Sequence, residues 1–410
     1  MRKGPLPILF VFVVVDLLGF SLILPLLPYY AKAFSASPLI IGLLGTSNAL
    51  AQVLAAPLIG RFSDRFGRRP LLLLGTFAGF ACFLMLGLAR SLTMIFASRI
   101  INGLLGGNQA LAQAYITDVT DEKDRARNLG VLGAAFGVGF IIGPALGGFL
   151  SSFGNSVPAF AAAGLSLVNF LWIAVALPES LTAERRRAAA GGRQPPITAR
   201  AMVAAMRRPR VGPLLTTIFV YSLAFGVFTA TFALYALRQL GLSAQFTGYI
   251  LAYVGVILVL VQALAVGPLT ARFSEARIIV MALPIVGFTL LAWGFVPNVP
   301  LLLVVFAPMS AAAGILGTVI NSALTKSVSR DEIGGTLGIS TSLQSLTQVI
   351  SPVLGGFLLG QLGAWSLGLL GALMMAGLTW FAFKQVLPSE RAAGSSGWAA
   401  ARTEPTRTPE

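Results

Sequence analysis

Long apolar runs alternate with short polar breaks along almost the whole chain. At 1.5 Å per helical residue, a run of about 20 residues crosses roughly 30 Å of hydrocarbon. By that measure helices are predicted over approximately 6–30, 39–60, 70–89, 92–117, 127–150 and 156–177. After a longer polar break they resume over 211–235, 245–268, 277–296, 299–323, 333–360 and 363–384. The pattern predicts an all-α membrane protein of twelve transmembrane helices in two groups of six.

The break divides the chain into an N-terminal six-helix bundle (1–177), a linker (178–210) and a C-terminal bundle (211–388), with a polar, disordered tail over 389–410. The linker is marked by prolines, glycines and arginines. The halves also repeat one another. LGVLGAAFGVGFIIGPALGGFL (129–150) aligns without gaps with LGISTSLQSLTQVISPVLGGFL (337–358), and PLIGRFSD (57–64) with PLTARFSE (268–275). Pro144 thus falls on Pro352 and Asp64 on Glu275. Repeated halves around a midplane site are a layout of secondary transporters.

The net charge of +15 raises the question of nucleic acid, and its distribution answers it. With loops numbered alternately from a cytoplasmic N-terminus, the outer ones hold only Lys32, Arg90 and Arg238, and Arg99 lies within a span. The remaining basic residues, including Arg61, Arg65, Arg68, Arg69 and the Arg185–Arg187 cluster, fall on the other side. This is the positive-inside bias, which predicts both termini in the cytoplasm and contact with anionic lipid rather than nucleic acid; the expected location, a separate reading, is a bacterial inner membrane. The start, MRKGPLPILF, has the look of a signal peptide, but its apolar run is long and holds Asp16, so it reads as the first membrane helix. Histidine is absent, and the single Cys82 reads as a packing residue. No nucleophile–base pair, metal cluster or phosphate loop stands out, so neither an enzyme nor a cofactor is expected.

Three motifs carry more specific information. GRFSDRFGRRP (60–70) lies between helices 2 and 3, with Gly60 and Gly67 permitting a tight turn. GVGFIIGPALGG (137–148) presents Gly139, Gly143 and Gly147 as a ridge for close helix approach, with Pro144 bending the helix beside Gly148. In helix 4, Arg99, Asn102, Gly106, Gln109 and Gln113 recur at steps of three and four, which predicts one polar stripe facing the bundle interior or a watery cavity, with Asn102, Gln109 and Gln113 either lining the substrate cavity or making interhelical hydrogen bonds.

These motifs resemble those of the major facilitator superfamily. The first is similar to its signature loop, matching at Gly60, Asp64, Arg65, Gly67, Arg68 and Arg69. The second resembles its antiporter motif, and RIINGLLGG (99–107) its helix-4 motif with Asn102 in place of the frequent glutamine. The resemblance implies that the loop latches the halves and affects the conformational switch, that the chain exchanges substrate for protons, and that Arg99 assists proton transfer. VVVDLLGFSLILPLLPYYAKAF (13–34) is similar to helix 1 of the drug–proton antiporters, including tetracycline-type exporters. Helix 9 (277–296) lacks the aspartate that some of those exporters carry, a departure that counts against tetracycline itself as the substrate without excluding it.

Among 14 acidic residues, Asp16 alone lies well inside a span. It sits roughly 15–18 Å from either end of its helix, with Arg99 roughly 8 Å away in depth. An Asp16–Arg99 pair whose separation changes during transport is the expected proton-coupling site, the alternative being a static pair that fixes packing.

Helix 7 carries Tyr221, Phe225, Phe228, Phe232 and Tyr235 at helical spacing. The resemblance puts helices 1, 4, 7 and 10 around the central cavity, where an aromatic wall suits a hydrophobic or cationic ligand; the alternative is a packing stripe. Asn48, Gln52, Gln262, Asn321, Gln344 and Gln348 are further polar candidates. The reading is a monomeric, proton-coupled multidrug exporter working on a small molecule by alternating access. A transporter of a small polar metabolite and a lipid flippase are the alternatives.

Overall fold

The computed structural model describes residues 6–120, 122–181, 199–329 and 332–388, so the Arg185–Arg187 cluster and the tail from Ser389 lie outside the described residues. The first half holds α1 (Leu6–Lys32), α2 (Pro38–Phe66), α3 (Arg68–Gly87), α4a (Leu92–Leu105), α4b (Asn108–Val119), α5 (Glu122–Ser151) and α6 (Val157–Ala176). A short helix, Ala199–Met206, precedes α7 (Val211–Gln239), α8 (Ala244–Leu264, continued by Val266–Arg272) and α9 (Glu275–Trp293). The chain continues through α10 (Val299–Lys326) and α11 (Ile333–Gln361) to α12 (Ala364–Phe381), whose last turn, Ala382–Val386, is π-helical.

Among the described residues, ten helices are long and apolar enough to cross a bilayer unaided. The other two expected spans are present in different form. The fourth is broken at Gly106–Gly107, and the fifth is a 30-residue helix with charges in its first turns. The expected loop at 60–70 is also mostly helical. α2 runs through Phe66 and α3 begins at Arg68, so Gly67 alone makes the turn, at φ 108°, a backbone conformation that a side chain disfavours.

Packing repeats with the halves. In the first, α1 lies against α5 and α6, α3 against α4 and α6, and α2 against α4a; α7–α12 repeat each contact six helices on. Two seams join the halves, α2 with α11 and α5 with α8. The aligned prolines explain why both seams look alike: a Cβ at Gly42 would strike the Pro352 carbonyl, and one at Gly248 the Pro144 carbonyl. Gly356 against Pro38 and Gly148 against Gln245 extend the two contacts. All of these lie toward the end of the molecule opposite the chain termini. At the terminal end, Gly60, Gly267, Gly334 and Gly335 have open space where a Cβ would be. The halves are therefore in close contact at one end, the closed end, and these glycines make no such contact at the other, the open end.

Hydrogen bonds sit at the same closed end. Tyr29 Oη lies 3.0 Å from the Leu242 carbonyl, to which it donates, and 2.6 Å from Thr247 Oγ1, and Thr46 Oγ1 donates to the Val349 carbonyl at 2.8 Å. At the open end, the ion pairs among the described residues lie within one half. Arg68 bridges Asp64 (2.6 Å) and Asp118 (3.1 Å), and Glu179 accepts from the backbone N–H groups of Arg68 and Arg69, which favours an anion at the start of α3. In the second half Lys326 pairs with Glu275 at 2.7 Å, and the Arg208 guanidinium beside Glu332 holds that carboxyl below its usual range.

Candidate functional site in the membrane core

The site is built around α1. Gly139, Gly143 and Gly147 of α5 lie flat against Leu17, Ser21 and Leu22, where a side chain at any of them would overlap α1. Ser21 Oγ donates to the Gly139 carbonyl at 2.7 Å across this contact. On the other flank, buried Asn169 of α6 donates to the Phe12 carbonyl at 3.0 Å. The turn of α1 that carries Asp16 is thereby held from both sides.

Asp16 does not pair with Arg99, which corrects the expected geometry. Its Oδ1 accepts a 2.7 Å hydrogen bond from Nδ2 of Asn108, the first residue of α4b. Arg99 lies nine residues earlier, roughly 13 Å along the α4 axis from Asn108. It is buried, donates to Ser98 Oγ at 3.1 Å, and stands 5.7 Å from the centre of the Phe83 ring. Among the described residues, no carboxylate pairs with it.

The helix break brings Asn108 to Asp16. Two successive glycines are weak helix formers, and the ladder lapses at Gly106 and Gly107. Gln52 Nε2, 3.5 Å from the Gly106 carbonyl, sits by one of the acceptors released there. The second segment packs Asn108 over Gly75 of α3, where there is no Cβ in the way. The uniform stripe expected along helix 4 is consequently split. Arg99 is buried and Asn102 half-buried beside α2, where Asn48 Nδ2 donates to the Arg99 carbonyl at 2.8 Å and reaches Asn102 Oδ1 at 3.4 Å. Gln109 and Gln113 are exposed on α4b.

The aromatic stripe of α7 faces the interior of its own half, so the packing alternative holds for most of it. Phe228 and Phe232, expected on a cavity wall, are fully buried against Phe306, with Trp293 edge-on to Phe228 at 5.0 Å. Tyr235 donates to the carbonyls of Trp293 and Val296, and Tyr221 to that of Ala313. Phe225 alone is half-buried, stacked on Tyr221 at 5.8 Å. Asn321 is exposed but donates to Gly317 in its own helix; Gln344 bonds Ser340, and Gln262 and Gln348 are exposed. The second half adds no acid at this depth among the described residues.

Asn108 and Asn169 are the site residues that sequence reasoning missed. The available signal was the Gly-Gly pair inside a helical pattern, which marks a break and a change of phase.

A family model described as the Major Facilitator Superfamily matches residues 9–293 and 214–407. The tetracycline resistance protein, class C, of Escherichia coli is 34% identical over 356 residues, covering 83% of this chain and 86% of that protein. Multidrug resistance protein 2 of Bacillus subtilis is 28% identical, covering 84% and 86%. Among solved structures, the human organic anion transporter MFSD10 matches with TM-score 0.66 at 23% identity, covering 92% of this chain and 98% of that one. A bacterial homologue of the lysosomal transporter Spinster, in an inward-facing and occupied conformation, matches with TM-score 0.74 at 16% identity, covering 94% and 99%.

Proposed function

Since the chain belongs to the major facilitator superfamily of membrane transporters, we propose that it exchanges protons for a small hydrophobic or cationic substrate, and exports that substrate. The observation that carries this reading is Asp16, a carboxylate deep in α1 whose partner is the neutral Asn108 rather than a cation. A neutral donor can hold the carboxylate when ionised, and the amide oxygen can accept from it when protonated. Protonation therefore leaves no buried partner cation stranded, as it would in an ion pair, and the Asn108 amide remains a partner in both states.

The open end, which bears the termini and most of the basic residues, is then cytoplasmic. In this form the halves part toward the cytoplasm, and substrate enters between them. Closing that end requires opening the seams that meet at Gly42–Pro352 and Gly248–Pro144. The Asp64–Arg68–Asp118 network, held within the first half here, is placed at the mouth that must close, which supports a switching role for the loop. Protonation of Asp16 from outside and substrate release to the outside act on one two-state scaffold, so the two ligands oppose one another.

Support for a drug-like substrate comes from the tetracycline and multidrug resistance proteins among the relatives. Burial of Phe228 and Phe232 removes most of the aromatic wall, and exposed Gln109 and Gln113 favour a small polar metabolite as the second reading. Transport in proteoliposomes with an imposed pH gradient separates these cases. Hydrophobic cations and polar metabolites are tested in parallel, with Asp16→Asn beside wild type. Concentrative, gradient-driven movement of a cation that vanishes in Asp16→Asn is expected. Undiminished, normally pH-dependent accumulation by Asp16→Asn would refute the coupling.

A further inference from the structure

On the lipid-facing side of the second half, α9 and α12 flank an open groove of about 530 Å³. That volume lies within the range of roughly 300–1,000 Å³ common for small-molecule sites. Pro284, Ala372 and Ala376 line it, with Phe288, Trp380 and Phe383 standing exposed along it. The two helices are antiparallel, in a register set by Gly287 against Met375, Leu290 against Gly371 and Gly294 against Gly368. Following that register about ten residues toward the terminal end brings Arg277 level with Lys384. Arg277 is exposed one turn or so before Val280, Met281 and Pro284 on the same face of α9. Lys384 is carried on the π-helical turn that ends α12, its Nζ 4.3 Å from the centre of the Trp380 ring. Among the described residues, neither base is in an ion pair.

We propose that this groove binds an anionic phospholipid, with an acyl chain along the apolar floor and the phosphate between Arg277 and Lys384. The argument is charge complementarity joined to shape. A long apolar channel that ends at two cations, one on each wall, matches an amphiphile with an anionic head. Basic groups between helices at the inner surface are a recurrent way to hold such lipids. The π-turn is a local departure from helix geometry of the kind found at functional sites, and it carries both Phe383 and Lys384. The proposal does not rest on proton coupling, because the groove lies on the outer face of α9 and α12, away from α1 and α4.

Native mass spectrometry of the full-length, delipidated protein tests it, titrating phosphatidylglycerol against phosphatidylcholine with matched chains. Wild type should retain phosphatidylglycerol roughly tenfold or more tightly than phosphatidylcholine, given two basic groups near the head. Arg277→Gln with Lys384→Gln should lower that retention to the phosphatidylcholine level, while Arg277→Lys with Lys384→Arg keeps it. Ala376→Phe fills the groove with both charges intact and should also abolish the preference. Equal retention of the two lipids by wild type would mean an ordinary lipid belt. That result, or an unchanged preference in either the double glutamine variant or Ala376→Phe, would overturn the proposal. Gel-filtration profiles matching wild type establish that each variant is folded.

Discussion

Asn108 donates a 2.7 Å hydrogen bond to Asp16 from just beyond a break in α4, while Arg99, on the segment before the break, faces Phe83 and Ser98. The carboxylate and the guanidinium in this half therefore belong to different layers of the bundle. Asn108→Ala leaves Asp16 without its donor. A hydrogen bond to a charged group is worth about 1.5–3 kcal/mol, so gradient-driven exchange is expected to slow by roughly tenfold or more. Asn108→Ser, which keeps a hydroxyl donor, should fall between. Exchange rates measured across pH in proteoliposomes decide the matter. A wild-type rate and pH profile for Asn108→Ala would reduce Asn108 to a packing residue over Gly75.

The α1–α5 contact makes a separate demand. Gly143 meets Ser21 with no room for a side chain, whereas Gly164 on α6 faces open space. Gly143→Leu must push the helices apart, at a cost of about 1–3 kcal/mol or more for an overpacked contact. Thermal unfolding in detergent should show a clear loss for Gly143→Leu and little change for Gly164→Ala. Equal melting temperatures would mean that the helices are not held at this spacing.

Along α7, stability and substrate handling should separate. Phe228 is buried between Trp293 and Phe306, so Phe228→Ala is expected to cost about 3–5 kcal/mol and to reduce folded protein sharply. Phe225→Ala, at a half-buried position, should fold nearly as wild type and alter the range of substrates instead. Melting curves combined with a substrate panel read both effects, and the reverse order would contradict the packing described.

Tyr29 tests the closed seam. Its hydroxyl joins α1 to the start of α8 through Leu242 and Thr247. Tyr29→Phe removes about 0.5–1.5 kcal/mol of bonding present only while this end is shut, enough to shift the balance of states a few-fold. Labelling of Thr46→Cys by a membrane-impermeant thiol reagent, with Cys82→Ser as background, should then quicken from the outer side. Unaltered labelling would place the energy of the seam elsewhere.

Much of this molecule could be read from its pattern of residues. Run length answers to bilayer thickness, so the spans at 6–30, 211–235 and 299–323 reappear as α1, α7 and α10 with ends shifted by a few residues. The alignment of Pro144 with Pro352 pointed to duplication, and the two equivalent seams give it a structural meaning. The segment at 60–70 was harder to read. Its glycines suggested a loop, but the long apolar α2 carries helix through Phe66 and leaves Gly67 as the turn.

The sequence by itself determined that the chain is a twelve-helix membrane protein in two related halves, with Asp16 as the one carboxylate deep in a span. Hydrophobic length and burial cost are properties of a segment against its solvent, and they need no neighbours. The tertiary structure decided that Asn108 rather than Arg99 meets Asp16, and that Phe228 and Phe232 face Phe306 rather than a cleft. Helical periodicity says which residues share a face. It cannot say what that face meets, and after Gly106–Gly107 it no longer keeps the phase.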